Sequence, residues 1–185
     1  MNELSLYILD LAQNSVAAKA TRIRISIEID EDKDLIRVTI EDNGCGMDEA
    51  LLKRVVSPFT TTRKTRKVGL GIPMIKQLCE MCEGEFAIES KVGEGTLLTL
   101  TFRKSHVDLP PMGAIEDTMV SLINGSPEEI EFEFSYRYGD NSFEFGTPEV
   151  RQVLQGVALN TPDVLLWIRG YLEEGIAEVH STITN

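Results

Sequence analysis

The sequence predicts an α+β protein in which amphipathic helices alternate with antiparallel hairpins. Three observations predict it. A helical period runs through residues 4–19, with Leu4, Ile8, Leu11 and Ala12 on one stripe and no Pro or Gly inside. A strict two-residue alternation follows over 22–30, with Ile23, Ile25, Ile27 and Ile29 on one face and Arg22, Arg24, Ser26 and Glu28 on the other. Helical and strand patterns then recur to the C-terminal end, with no internal repeat and no low-complexity segment.

Each later element has its own justification. Residues 35–41 alternate again through Ile36, Val38 and Ile40, so 22–30 and 35–41 form a hairpin across a polar turn. Residues 48–56 read as a short helix with an acidic first turn. A Thr-rich, basic loop occupies 57–68. Residues 71–83 read as a helix that tolerates Pro73 in its first turn and ends at a Gly84 cap. Residues 86–90 and 96–102 are strands joined by Lys91-Val92-Gly93-Glu94-Gly95. Residues 106–111 read as a Pro-marked linker. Beyond it come a helix over 114–123, a hairpin of 129–138 with 142–145, and helices over 148–154, started by a Thr147 cap, and 163–181.

The chain has 185 residues, 30 acidic against 18 basic, and a net charge of -12. That balance argues against a binder of nucleic acid or of anionic membrane, since both partners are polyanions. Nothing at the N-terminus reads as a signal peptide, and no apolar run has the roughly 20 residues of a membrane span. Three cysteines, an odd number, fit a reducing cytoplasm. Cys79 and Cys82 form a C-x-x-C without a second pair or a nearby histidine, so they read as small buried hydrophobes.

Four short segments carry chemistry. Asp10 and Asn14 stand four apart and share one helix face. There the carboxamide oxygen suits a hard cation such as Mg²⁺, and the carboxylate suits a water. Asp42-x-Gly44-x-Gly46 follows a strand, where glycines admit a planar ligand and a carboxylate accepts from an exocyclic amine. Val68-Gly69-Leu70-Gly71-Ile72 opens a helix whose N-terminal amides favour phosphate, beside Thr60, Thr61, Thr62, Arg63, Lys64, Arg66 and Lys67. Gly93-Glu94-Gly95-Thr96 joins two strands. Alone, each also reads as an ordinary turn or solvated face.

Together, in this order, the four resemble the N, G1, G2 and G3 boxes of the GHKL, or Bergerat-fold, ATPases: gyrase, the heat-shock chaperone, histidine kinases and MutL. The resemblance covers about residues 4–103. Asn14 through Ile23 and Asp42 through Met47 look most like MutL; Pro58 through Lys64 and Gly69 through Ile72 look like the histidine-kinase catalytic domain. It implies a two-layer α/β sandwich of the histidine-kinase/gyrase type as the domain at 1–104; residues 105–185 resemble no family, and their αββαα pattern reads as a small α+β C-terminal region. The resemblance implies ATP and Mg²⁺ as cofactors. Asn14 would ligate the metal, and Asp42 would read the adenine amino group. Gly44, Gly46 and Met47 would line the base pocket, with Thr96 supporting Asp42. Gly69, Leu70 and Gly71, with Ile72 after them, would wrap the phosphates under a lid of residues 57–68. Thr61 and Lys64 join the nucleotide contacts, Lys64 toward the γ-phosphate. Asp10 occupies the place where gyrase-like members carry a catalytic Glu.

The function this implies is a stand-alone Mg-ATP-binding protein acting as a protein kinase in trans, in the manner of anti-sigma-factor kinases or a detached histidine-kinase module. No dimerisation segment with an acceptor histidine fits ahead of the first helix, and His106 and His180 read as ordinary surface histidines. The alternative is a nucleotide-dependent binding switch. A MutL-like repair ATPase fits less well. Residues 1–104 hold 15 basic and 16 acidic side chains; residues 105–185 hold 3 and 14. The acidic C-terminal region is therefore the expected place for a protein partner, and its helical residues Trp167, Tyr171 and Leu172 are expected in a core with Val164 and Ile168.

Overall fold

A computed structural model of the chain describes residues 3–57 and 71–181. They form helices α1 (Leu4–Ala17), α2 (Glu49–Val56), α3 (Gly71–Met81), α4 (Ile115–Gly125), α5 (Thr147–Leu154) and α6 (Pro162–Ser181). The strands are β1 (Arg22–Asp30), β2 (Leu35–Asp42), β3 (Phe86–Lys91), β4 (Gly95–Arg103), β5 (Glu131–Tyr138) and β6 (Asn141–Gly146).

One six-stranded sheet takes them all, in the order β3-β4-β2-β1-β5-β6. Its inward face is built by the alternation read from the sequence. Ile23, Ile25 and Ile27 of β1 lie beside Val38 and Ile40 of β2, Leu100 and Phe102 of β4, and Phe132 and Phe134 of β5. All of these side chains are buried. Helices cover that face, giving the two-layer α/β sandwich, while the other face carries Arg22, Arg24, Glu41, Glu133 and Glu144. Burying such a run of aliphatic and aromatic groups is the main driving force for the fold.

The two sequence segments, 1–104 and 105–185, share this sheet. β5 pairs with β1 in parallel, from Arg22↔Glu131 to Ile29↔Tyr138, whereas every other pairing is antiparallel. A parallel pair needs a long crossover. Residues 104–130 supply it, and α4 within them packs on α1. The expected linker has neither helix nor strand, but it is tied down. Leu4 and Ser5 donate backbone N–H bonds to Pro111 and Met112 carbonyls at 2.9 and 2.8 Å. The buried Thr118 hydroxyl donates to the Ser5 carbonyl at 3.0 Å. The two backbone bonds satisfy donors at the start of α1 that no helical carbonyl reaches.

On the outer face of β5, Glu133 accepts from Arg22 at 2.9 Å and Arg24 at 2.7 Å across the β1–β5 pair. Three local expectations are corrected. Glu83, not Gly84, takes the left-handed conformation after α3. Gly84 instead lets β4 pass close by: an ideal Cβ would sit 1.8 Å from the Thr101 carbonyl oxygen. Thr147 does not cap α5 with its side chain; it is buried, and its hydroxyl accepts the Phe132 N–H at 2.8 Å. Finally, Val164, Ile168 and Leu172 do enter the core, but Trp167 and Tyr171 are 54% and 43% exposed. The stripe Val164-Ile168-Leu172-Gly175-Val179 faces the sheet. Trp167 and Tyr171 each precede a stripe residue by one position, about 100° around the helix.

Candidate nucleotide site

The site forms where β2 ends, under α1 and beside the β3–β4 turn. Asp42 is the last residue of β2, opposite Thr96 of β4 and Ile23 of β1. Its carboxylate is fixed on both oxygens. Oδ2 accepts the Ser15 hydroxyl at 2.6 Å, and Oδ1 accepts the Gly44 N–H at 2.8 Å. Ser15 is 3% exposed on the apolar stripe of α1, and Asp42 is half-buried. Bonds to a charged acceptor are short and strong, so this carboxylate has a set direction before any ligand arrives.

The turn after Asp42 is held from both sides. Cys45 N–H donates to the Ala18 carbonyl at 2.9 Å, and Gly93 N–H donates to the Cys45 carbonyl at 2.8 Å. Asn43 Oδ1 accepts from the Thr21 and Arg22 amides, both at 2.9 Å, closing the turn between α1 and β1. Gly46 sits at φ +69°, and an ideal Cβ there would stand 2.0 Å from the Lys91 carbonyl oxygen. Gly95 sits at φ +124°, with an ideal Cβ 1.9 Å from the Asp42 carbonyl oxygen. Both positions need glycine for conformation and for space. Met47 packs against the core, and its N–H donates to Ser90 Oγ at 2.8 Å. Ser90 Oγ also lies 2.8 Å from Thr96 Oγ1 and 3.0 Å from the Gly95 carbonyl. Among the described residues, then, the Thr96 hydroxyl is bonded to Ser90, and the support for Asp42 comes from Ser15 and Gly44.

The second half of the site lies along α1. Asp10 and Asn14 are one turn apart on it, both half-buried. The Asp10 carboxylate covers the first residue of α3: an ideal Cβ on Gly71 would stand 2.3 Å from Asp10 Oδ2. A carboxylate there faces the positive end of the α3 dipole. Ile72, 3% exposed, packs into the core. Thr61, Lys64, Gly69 and Leu70 lie outside the described residues, as does all of the expected lid except Ser57. Sequence reasoning missed Ser15, Asn43 and Ser90 as parts of the site. Ser15 had a readable signal, a hydroxyl on an otherwise apolar helix stripe; Ser90 had none.

A family model described as "Histidine kinase-, DNA gyrase B-, and HSP90-like ATPase" matches residues 2–106. The chain belongs to the histidine kinase-, DNA gyrase B- and HSP90-like ATPases. A "Putative sensor protein" of Shewanella frigidimarina is 35% identical over 57% of this chain and 16% of its own length. "Sporulation kinase E" of Bacillus subtilis is 33% identical over 54% of this chain and 14% of its own. The chain thus spans about a sixth of the length of these relatives or less. The catalytic domain of the histidine kinase ThkA shares 24% identity, with a TM-score of 0.41 over 54% of this chain and 64% of that one. The ATPase-family segment is an ATP-binding module of the kinase type. In it, Asp42 offers an oriented acceptor beside a turn whose close packing admits only glycine at Gly46. That fits the amino edge of an adenine. Asn14 and Asp10 together offer oxygen donors of the kind a magnesium ion takes, so the donor set fits the metal as well. No helix among the described residues is long and apolar enough to cross a membrane.

The C-x-x-C is not part of this site. Cys79 and Cys82 are fully buried. Burial pushes the Cys79 thiol up to about 12 and raises that of Cys82. Buried thiols with raised pKa values are poor nucleophiles.

Proposed function

We propose that this chain is a Mg-ATP-dependent protein kinase module that transfers the γ-phosphoryl group to a separate protein. The observation that carries the reading is the Asp42 carboxylate, fixed by Ser15 and Gly44 at a glycine turn before any ligand is present. In the proposed complex Asp42 accepts from the adenine amino group, with Gly44, Gly46 and Met47 around the base. Asn14 holds the magnesium ion, whose charge neutralises the phosphates. Phosphoryl transfer depends mainly on positioning and charge neutralisation. Asp10 then needs only to orient the attacking group, and its shorter side chain makes hydrolysis by water the slower outcome. Thr61 and Lys64 belong to the phosphate contacts, with Gly69, Leu70 and Gly71.

Transfer in trans is supported by what the two histidines do. His180 Nε2 is 2.6 Å from the Tyr136 hydroxyl, and its ring centroid lies 4.5 Å from that of Tyr138. His106 Nδ1 accepts the Asp108 N–H at 3.1 Å in a side chain that is 16% exposed. Both are engaged in local structure, so the reading sends the phosphoryl group to another protein. Incubation with γ-labelled ATP and candidate partner proteins tests it. Label on a partner supports the reading; labelled inorganic phosphate alone, with no protein labelled, overturns it.

A second reading, a nucleotide-dependent switch, has its own support. α1 carries Asp10, Asn14 and Ser15, and its first turn is bonded to Pro111 and Met112 while α4 packs on it. A ligand that moves α1 therefore has a direct path to the C-terminal segment. Amide hydrogen exchange with and without Mg-ATP decides this. Unchanged protection in α4 and β5 removes the switch, since a ligand acts only through differential affinity.

A further inference from the structure

Far from Asp42, the sheet ends at β6, whose outer backbone edge pairs with no strand among the described residues. An open edge presents alternate N–H and C=O groups to any chain that runs alongside. A concavity of about 740 Å³ lies against this edge. Its lining includes the apolar Phe145, Val150, Trp167 and Tyr171, the exposed Glu144 and Glu149, and Arg24, which is paired with Glu133. Trp167 and Tyr171 stack with centroids 5.2 Å apart and planes within 14°. Val153 and Leu166 beside them are 80% and 70% exposed. At the other end α6 closes on β6, where an ideal Cβ on Gly175 would strike the Phe143 ring at 2.2 Å. The groove thus opens toward the start of α6 and the end of β6.

We infer that this edge and groove dock an extended segment of a partner protein in which basic and apolar residues alternate. The pattern follows from the pleat. A strand added beside β6 places every second side chain on the Phe143–Phe145 side, against Trp167 and Tyr171. The residues between them fall on the Ser142–Glu144 side. A lysine or arginine there meets Glu144 as a cross-strand pair. Glu149, at the start of α5, meets a second. Neither carboxylate is in an ion pair among the described residues. A second copy of this chain is a poor occupant. Its own β6 alternates Phe143 and Phe145 with Glu144, so pairing brings like charges together, and each chain carries a net charge of -12. The inference names the surface and the partner chemistry that the proposed function leaves open, and rests on that reading only for the partner's role. Nucleotide and peptide are titrated separately, so either can fail without the other.

Trp167 is the chain's single tryptophan, so its emission reports on the groove directly. The probe is a synthetic octapeptide of alternating lysine and valine. Saturable binding with a blue shift of emission is expected. Weakening of about fivefold is expected in a Glu144→Gln, Glu149→Gln double variant, the effect of two exposed ion pairs. Methylating alternate backbone nitrogens of the peptide, on the edge that would face β6, is expected to abolish the shift. The inference is overturned if the shift is absent, if an alternating glutamate–valine peptide binds equally, or if the N-methylated peptide binds unchanged. It is also overturned if the emission shifts with protein concentration alone while sedimentation shows a dimer, because the occupant is then a second copy.

Discussion

Replacing Ser15 with alanine removes one hydrogen bond and asks whether Asp42 is held in place by α1. The Ser15 hydroxyl donates to Asp42 Oδ2 at 2.6 Å from a position that is 3% exposed. A hydrogen bond to a charged acceptor contributes about 1.5–3 kcal/mol. Alanine recovers about 0.5 kcal/mol through its better helix propensity. The expected net loss is about 1–2 kcal/mol, a Tm decrease of several degrees in a domain of this size. Gly44 still donates to Oδ1, so Asp42 keeps half its anchoring. Fixing a freed side-chain torsion on binding costs about 0.5–1 kcal/mol. Affinity for Mg-ATP should therefore fall about two- to fivefold. Calorimetric titration well below Tm, beside a thermal melt, measures both. If the melt shifts and the affinity does not, Ser15 only stabilises the fold and the positioning argument fails.

Three further outcomes are expected. Gly95→Ala forces a side chain into φ +124° and against the Asp42 carbonyl, so thermal unfolding should show a loss above about 2 kcal/mol; an unchanged Tm contradicts the turn geometry. Burial lowers the pKa of His180. The unfolded chain then takes up this proton at a higher pH than the folded one, so stability is full above the ordinary histidine pKa of about 6.5 and declines as pH falls below it. Urea titrations of wild type and His180→Gln across pH 5–8 should show that component lost in the variant; parallel pH profiles refute it. A thiol-reactive dye should label the exposed Cys45 in the native state and reach Cys79 and Cys82 only after unfolding. Rapid labelling of all three contradicts their burial.

Much of the fold was legible wherever one period ruled a segment. β1 spans Arg22–Asp30, as the alternation of its isoleucines requires, and α1 loses only Ala18 and Lys19, because Lys19 turns left-handed at φ 60°. The site was legible in part for the same reason: Asp42, Gly44 and Gly46 sit at an element junction that the pattern marks. What escaped was decided by partners distant in sequence. The parallel pairing of β5 with β1 joins residues more than a hundred apart, and no local period encodes it. Thr147 looks like a cap until the Phe132 amide claims its hydroxyl. Trp167 and Tyr171 flank the buried stripe of α6, and only the packing of α6 on α4 and the sheet decides which side of that stripe stays open. Ser90 matters through Met47, Gly95 and Thr96, which only the folded hairpin brings to it.

The central claim is that Asp42 reads an adenine. Calorimetric titration of wild type and Asp42→Asn with Mg-ATP and Mg-GTP tests it most directly. Ser15 and Gly44 donate to the carboxylate, and in the proposed complex an adenine amino group would be a third donor. A carboxamide turns one acceptor oxygen into an NH2 donor; the Ser15 hydroxyl can rotate to accept from it, but an adenine amino group facing it cannot, at about 2 kcal/mol or more. Guanine presents a carbonyl oxygen where adenine has its amino group. The expected result is binding of ATP over GTP by the wild type, ATP affinity reduced about thirtyfold or more in Asp42→Asn, and discrimination against GTP narrowed, with the far-ultraviolet dichroism unchanged. A wild type without ATP affinity, or an Asp42→Asn variant that binds ATP equally well, contradicts it.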